Sequence, residues 1–520
     1  MYIQNFGYLP EIGYRLSPSK VALIQDGHEL TYAELEARAN RVANALLTSG
    51  VQKGERVALM QGNERHFVEC FLGVMRAGAV AVPMNVRSGN DAMRHVLADS
   101  GSRVLIASPD WHELAIQLAA DVPTIHQIVL CGKDSVASVA GRASYDHWVA
   151  DASADRVAVK IEFEDLCMMP YTSGTTGRPK GVRLHHAGQI HNAEILRRAH
   201  LISSDERTLI SGPMYHANAL SGAFYPFILG GASAVILPKF DPRAVIEAIE
   251  RYGCTHTMGV PTMFALMLRD REFLKAHNVR TIDYIGVGSA PVTAEFLGQL
   301  QEAFGGVDVV EGYGMTESGP VPILIPRWGK KKLGSCGILL PEMEVRLVDD
   351  AGVDVALDEI GEAWIRNPGN ARGYHNLPEV TAARFTPDGW LKSGDLMRRD
   401  AEGFYFFLGR QDDQISVGGE NVYPKEVEAI VLQHHGVLEA SVVAVPHALK
   451  GAVPVAFVVR REGHDVTEEQ IKAFYLERGA AYAHPRRVFF VNELPLSGTS
   501  KIDRKALERR AQESMTEQVA

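Results

Sequence analysis

Apolar residues recur at helical spacing from Leu30 to Ser49, and three short apolar runs follow, Glu55 to Met60, Ala79 to Met84 and Arg103 to Ala107, which predict buried strands. Strands separated by helical stretches predict an α/β layer with parallel pairing, because each crossover brings the chain back in the same direction. The alternation returns further on, with Ser233 to Leu237 as a strand, Pro242 to Tyr252 as a helix and His256 to Val260 as a strand. From about Gly334 to Gly409 the pattern changes to short strands broken by turns, at Met343 to Val348, Gly361 to Arg366 and Gly403 to Leu408. A polar stretch from Gly409 to Gln414 then separates apolar flanks, and the remaining residues suit a small α+β domain. The expected fold class is therefore α/β. Two α/β subdomains, at about 1–170 and 171–333, precede a β subdomain at about 334–409, a linker at 410–413 and an α+β domain at 414–520. No internal repeat or low-complexity tract interrupts this order.

At 520 residues the chain is too long for one core, while 46% hydrophobic and 22% charged residues are ordinary for a globular protein. A net charge of −10 argues against a broad surface for nucleic acid or anionic lipid, so any phosphate must be held locally. Five widely spaced cysteines without a CxxC pair suggest neither a disulfide framework nor a zinc knuckle, and fit a reducing cytoplasm. The first residues lack a basic start followed by an apolar stretch, and the longest apolar run, Pro226 to Pro238, contains two glycines and is too short to span a bilayer. Neither a secretory signal nor an integral membrane segment is expected.

The most specific string is Tyr171 to Gly181, YTSGTTGRPKG, placed after the apolar stretch Leu166 to Pro170. Glycines allow the backbone to approach an anion, Thr172, Ser173, Thr175 and Thr176 offer hydroxyls, and Lys180 offers a mobile cation. Such a loop, with Gly174 within it, is suited to wrapping a polyphosphate. It is not a Walker loop, because Lys180 stands between Pro179 and Gly181 rather than before Ser or Thr. Glu311 to Glu317, EGYGMTE, adds Tyr313 to stack on a flat ring, Thr316 to hydrogen-bond a phosphate and Glu317 to supply a hard oxygen for Mg²⁺.

Together these strings resemble the signatures of the adenylate-forming superfamily, which includes acyl-CoA synthetases, luciferases and peptide-synthetase adenylation domains. The resemblance extends in order to Ile502. It implies that Gly288, Ser289, Ala290 and Pro291 help seat adenine, that Glu311, Gly312, Tyr313 and Gly314 flank the same nucleotide, and that Thr175 joins Glu317 at the metal. Glu311 departs from the Asn or Gln usual in the family. Asp395, in Leu391-Lys392-Ser393-Gly394-Asp395, matches the ribose-binding carboxylate, and Arg410 the arginine that contacts ribose and phosphate. Lys501 matches the catalytic lysine, although Ser500 replaces the usual preceding glycine. Asp412 matches the hinge about which a mobile C-terminal domain turns. His216 matches a residue beside the carboxylate and thiol path, and a gate for the acyl pocket and a histidine satisfied in a mixed core remain equally good readings. His185 and His186 look structural.

Gly418 and Gly419, within GGEN followed by Val-Tyr-Pro, resemble acyl-CoA synthetases more than peptide-synthetase domains and would let a pantetheine arm pass. Ala483 and His484 stand where many CoA ligases carry Lys or Arg. The implied cofactors are ATP, Mg²⁺ and coenzyme A as co-substrate. The implied partners are a small carboxylic acid and CoA, with no nucleic acid; a homodimer stays open. The implied reaction is ATP-dependent acid:CoA ligation through an acyl-adenylate, with transfer to a carrier-protein thiol or an amine as the alternative. Residues 216–222, 260–263 and 286–288 are the expected acyl pocket, where Ala217, Ala219 and Gly222 leave room for an aromatic ring or medium-length chain.

Overall fold

The computed structural model describes residues 3–132, 141–173, 178–288, 294–319, 321–332, 334–417, 420–447, 450–496 and 502–516. Two large sheets with parallel centres form the N-terminal part. The first has seven strands in the order Leu184–His185, Leu166–Met168, Val80–Pro83, Arg56–Met60, Val104–Ala107, Gln127–Leu130 and Arg142–Ser144. The second has nine, in the order Ile338–Leu339, Ile323–Leu324, Asp308–Tyr313, Tyr284–Val287, His256–Gly259, Arg207–Ile210, Ser233–Ile236, Val21–Gln25 and His28–Thr31. The first two and the last strand of that order run antiparallel to their neighbours.

The pairing crosses the position at which the sequence suggested a division. Val21–Gln25 and His28–Thr31 lie early in the chain yet join the second sheet, through parallel pairing of Leu23 with Ala234. Between the sheets, the helices Tyr32–Thr48 and Arg65–Arg76 bury their facing sides in one continuous core. Leu30 belongs to the preceding strand, and Thr31 starts the first helix by a capping box with Glu34. Within that core Arg76 is fully buried but satisfied, donating to Gly7 O, Glu36 O and Asn40 Oδ1 and pairing with Glu36 at 2.7 Å.

A four-stranded antiparallel sheet, Glu344–Val348, Ile360–Arg366, Leu391–Arg399 and Tyr405–Arg410, follows. Its last strand begins two residues later than the apolar pattern suggests. Asp400 Oδ1 accepts from the amides of Glu402 and Phe404, which holds Gly403 in a turn at φ 86°. A short 3₁₀ turn, Gln411–Asp413, leads to the C-terminal unit. There Gly451–Arg460 pairs with Val437–His447, Ile415–Val417 and Val488–Val491, and the helices Pro424–Val431, Glu468–Leu476 and Arg504–Thr516 cover the sheet. No helix among the described residues is long and apolar enough to cross a membrane.

Candidate active site

A cleft of about 1530 Å³ opens where the strands His256–Gly259, Tyr284–Val287 and Asp308–Tyr313 end, bounded by the four-stranded sheet and the C-terminal unit. Ligands of open α/β sheets gather at the carboxyl ends of strands, where loops diverge. Thr172, Lys180, His216, Gly288, Glu311, Gly312, Tyr313, Gly314, Thr316, Glu317, Asp395, Arg410 and Asp412 all line this cleft. Ser173 pairs with Pro179 in the adjoining hairpin. Gly174, Thr175, Thr176, Ser289, Ala290, Pro291, Gly418, Gly419 and Lys501 lie outside the described residues.

The hairpin of Tyr171–Ser173 and Pro179–Gly181 sets Lys180 opposite Thr172. Its base is fastened by Tyr171 Oη donating to Asp99 Oδ2 at 2.6 Å and by His375 N donating to Gly181 O at 2.8 Å. The second contact brings in Tyr374, which the sequence did not single out. Tyr374 Oη donates to Glu317 Oε1 at 2.9 Å, and Lys180 Nζ stands 5.4 Å from the centre of the same ring. One aromatic side chain thus links the glycine-rich hairpin to the carboxylate. Burial, and then Glu317, push the Tyr374 phenol up, so it remains a neutral donor.

Glu317 belongs to the 3₁₀ turn Thr316–Ser318, which Ala371 N and Asn367 Nδ2 hold by donating to Glu317 O and Ser318 O. Its side chain is buried, with one carboxylate oxygen engaged by Tyr374. No group of three or more His, Cys, Asp and Glu side chains among the described residues could enclose a metal. That donor set fits Mg²⁺, which is commonly held by one or two carboxylates and completes its shell with water and nucleotide phosphates.

Across the cleft, Asp395 and Arg410 are cross-strand partners. Asp395 Oδ2 accepts from Tyr313 Oη at 2.6 Å, and Arg410 Nε stands 3.1 Å from Oδ1. Gly394, at φ 69°, donates its amide to Glu362 Oε1 and turns the chain so that the Asp395 carboxylate meets Tyr313. Burial, followed by Asp395, drives the Tyr313 phenol far above its ordinary range. At Gly312 a Cβ would stand 2.9 Å from Val321 Cγ1, so glycine lets the neighbouring strand close in.

His216 Nδ1 accepts from Asn218 N at 3.2 Å at the entry to the helical turns Asn218–Phe224. Ala217, Asn218, Gly222, Val260, Pro261 and Thr262 continue the wall. The space beside Gly222 is already filled, because a Cβ there would fall 2.2 Å from Met258 Sδ. Beyond Met258 the lining reaches His200, His256 and Tyr284, rings embedded in strands and helices where apolar periodicity conceals them.

The C-terminal unit contributes Leu494, Leu496, Ile502 and Arg504 to the lining. Leu496 bridges Ile502, and Asp503 N donates to Pro495 O at 2.8 Å, closing the base of the segment that carries Lys501. Arg504 is fixed behind it by Val442 O and by Glu428, a buried carboxylate that also accepts from Lys425.

A cleft that brings together a hairpin cation, a buried acidic turn and a carboxylate–arginine pair has the converging polar groups of a small-molecule enzyme site. The family described as AMP-binding enzyme matches residues 14–375, and its C-terminal domain matches residues 426–501. The chain is 35% identical over 513 residues to a feruloyl-CoA synthase of an Amycolatopsis species, covering 98% of this chain and 99% of that protein. It is 32% identical over 495 residues to the benzoate–CoA ligase of Thauera aromatica, covering 93% and 92%. An anthranilate CoA ligase solved with anthranoyl-AMP superposes with a TM-score of 0.91 at 30% identity, covering 98% of each chain. ATP-bound MatB from Rhodopseudomonas palustris superposes with 0.88 at 30% identity, covering 98% and 99%. The chain belongs to the AMP-binding enzyme family, the adenylate-forming superfamily, on its acyl-CoA synthetase side.

Proposed function

We propose that this chain is an AMP-forming acid–CoA ligase acting on an aromatic or medium-chain carboxylic acid. The observation that carries the reading is the meeting, in one cleft, of the Lys180–Tyr374–Glu317 cluster, the Tyr313–Asp395–Arg410 cluster and the base of the Lys501 segment. Asp395 and Arg410 hold the ribose, with Tyr313 and residues 288–291 beside adenine. Thr172, Lys180 and the rest of the 171–181 loop hold the phosphates, and Thr316 holds the α-phosphate. Glu317, with Thr175, is the group to hold Mg²⁺, which when bound offsets phosphate charge.

In the first half-reaction a carboxylate oxygen of the acid attacks the α-phosphorus of ATP, and the bond to the departing pyrophosphate breaks. Lys501 bridges the two anionic reactants and stabilises the charge that accumulates between them. In the second, the C-terminal unit turns about Asp412, withdraws Lys501 and presents Gly418 and Gly419 as the pantetheine path. The CoA thiolate attacks the acyl carbon, its proton having passed to solvent, and the acyl–oxygen bond breaks to release AMP.

Acid-dependent AMP formation tests this, across aromatic, short-chain and medium-chain acids with and without CoA, with the acyl product followed by mass spectrometry. An acyl-CoA is expected. AMP and acyl-adenylate without thioester in the presence of CoA would favour a carrier-protein thiol or an amine as acceptor. One feature supports that second reading. In the segment where CoA ligases commonly place basic residues, Arg486 Nη1 is engaged with His484 Nε2 at 2.9 Å and Arg487 with Glu468 at 3.2 Å. We place the enzyme in the cytoplasm, in keeping with five free cysteines, four of them buried.

A further inference from the structure

In the C-terminal unit one buried carboxylate ties three elements together. Glu428 is 3% exposed and sits on the helix Pro424–Val431. Its Oε1 accepts from Val442 N at 2.8 Å and from Arg504, and its Oε2 accepts from Lys425 at 2.6 Å. Arg504, the first residue of the last helix, also donates to Val442 O at 2.8 Å. Val442 belongs to Val437–His447, the edge strand of its sheet, so Glu428 and Arg504 satisfy a peptide group that the sheet leaves open. All three charged side chains, Lys425, Glu428 and Arg504, line the cleft. Lys501 stands three positions before Arg504 in the chain. The chain between them is tied down on the Arg504 side, where Leu496 bridges Ile502, Asp503 N donates to Pro495 O and Asp503 Oδ1 accepts from Ala506 N at 3.0 Å.

A neutral amide would satisfy the Val442 peptide at a lower desolvation cost than a buried ion pair. What the ion pair adds is a fixed direction for Arg504, because a guanidinium that reaches both a carboxylate and a carbonyl has little freedom left. Building on the ligase reading above, we propose that Glu428 is a positioning residue for the adenylation half-reaction: through Arg504 it fixes the start of the last helix and so sets where Lys501 enters the cleft. The rest of the unit does not depend on this carboxylate. Val427 and Val431 hold its own helix in one core, and Leu507 and Ala511 hold the body of the last helix in another. Loss of the charge at Glu428 therefore loosens the Lys501 end, while both helices stay packed. The side that carries Gly418 and Gly419 precedes the helix held by Val427 and Val431, and is left in place.

The test compares two half-reactions, acid-dependent exchange of labelled pyrophosphate into ATP and thioester formation from supplied acyl-adenylate, in the full chain, Glu428→Gln, Lys501→Ala and the double variant. Glutamine keeps the length and an oxygen for Val442 N but not the charge that holds Arg504. Glu428→Gln is expected to slow exchange by about tenfold or more at saturating ATP, with KM for ATP within about twofold, because a misplaced reacting group costs rate rather than binding. Thioester formation should stay within about threefold. In the Lys501→Ala background, Glu428→Gln should change exchange by less than about threefold, since it acts through that lysine. Unchanged exchange in Glu428→Gln, an equal loss in both half-reactions, or a full further loss in the Lys501→Ala background overturns the proposal. Where Glu428→Gln does not fold, Arg504→Lys, which keeps a cation but not the fork, carries the same comparisons: a selective loss of exchange supports the proposal, and an unchanged rate or an equal loss overturns it. Exchange that survives Lys501→Ala overturns it as well, whereas no exchange by the unsubstituted chain with any acid overturns the ligase reading beneath it.

Discussion

The two ends of the cleft differ in how their polar side chains are satisfied. At the end proposed for the nucleotide, polar side chains meet one another: Tyr374 donates to Glu317, Tyr313 donates to Asp395, and Arg410 faces the same carboxylate. At the end proposed for the acyl group, His200 stacks on Tyr284 and His256 lies tilted against it, with His200 Nδ1 and Tyr284 Oη buried and without a hydrogen-bond partner among the described residues. The difference separates two tasks. Fixed charges preorganised around a phosphate stabilise a reaction common to many acids, whereas a low-polarity chamber with few hydrogen-bonding atoms discriminates among them.

The largest expected effect lies outside both groups of described side chains. Lys501→Ala is expected to slow acyl-adenylate formation by about a hundredfold or more, on the scale of a lost electrostatic stabiliser. Thioester formation from supplied acyl-adenylate should be spared, and an equal loss in both assays would contradict the alternating roles of the C-terminal unit.

Asp395→Ala bears on the separation directly. It removes the acceptor for Tyr313 and the partner of Arg410, so KM for ATP should rise by about tenfold or more and stability should fall by about 1–3 kcal/mol. Selectivity between two acids that differ only at the end remote from the carboxyl should not move. A changed ratio, measured by competing the two acids, would show that the two ends are coupled.

The acyl end carries a smaller, pH-dependent signature. Burial, then Arg327, holds His200 down to about 4, and His256 lies well below its ordinary value. Both rings stay neutral when folded but take a proton near pH 6.5 when unfolded. Their contribution is therefore full above about pH 6.5 and is lost as pH falls towards the lowered values, by at most about 1.4 kcal/mol per pH unit for each ring. Urea unfolding at pH 7 and pH 5 should show lower stability at pH 5, with a reduced difference in His256→Leu. Equal pH dependence in the two proteins would count against a neutral buried His256.

Much of this arrangement is legible in the chain because strand-ending loops advertise themselves. Gly-rich and hydroxyl-rich strings directly after apolar runs locate the 171–181 hairpin strands, Gly288 and the 311–317 segment, and Asp395 and Arg410 flank a β-hairpin whose pairing brings them together. Tyr374 escapes such reading because it reaches Glu317 from a turn 57 residues away, through contacts with Gly181 and Val182. His256 and Tyr284 escape it for the reverse reason. They occupy strand positions where a buried ring looks like core, and only the folding of neighbouring strands brings them to the cleft lining. The early strands Val21–Gln25 and His28–Thr31 show the same limit at the level of fold, since local pattern gives a strand but not the sheet it joins.

Acid-dependent exchange of labelled pyrophosphate into ATP, with Mg²⁺ present and CoA omitted, reads the adenylation half-reaction by itself. Exchange should require a carboxylic acid and Mg²⁺ and should fall by about a hundredfold or more in Lys501→Ala. ATP binding without exchange for any aromatic, short-chain or medium-chain acid would contradict that expectation, leaving a nucleotide-binding protein with the architecture of a ligase.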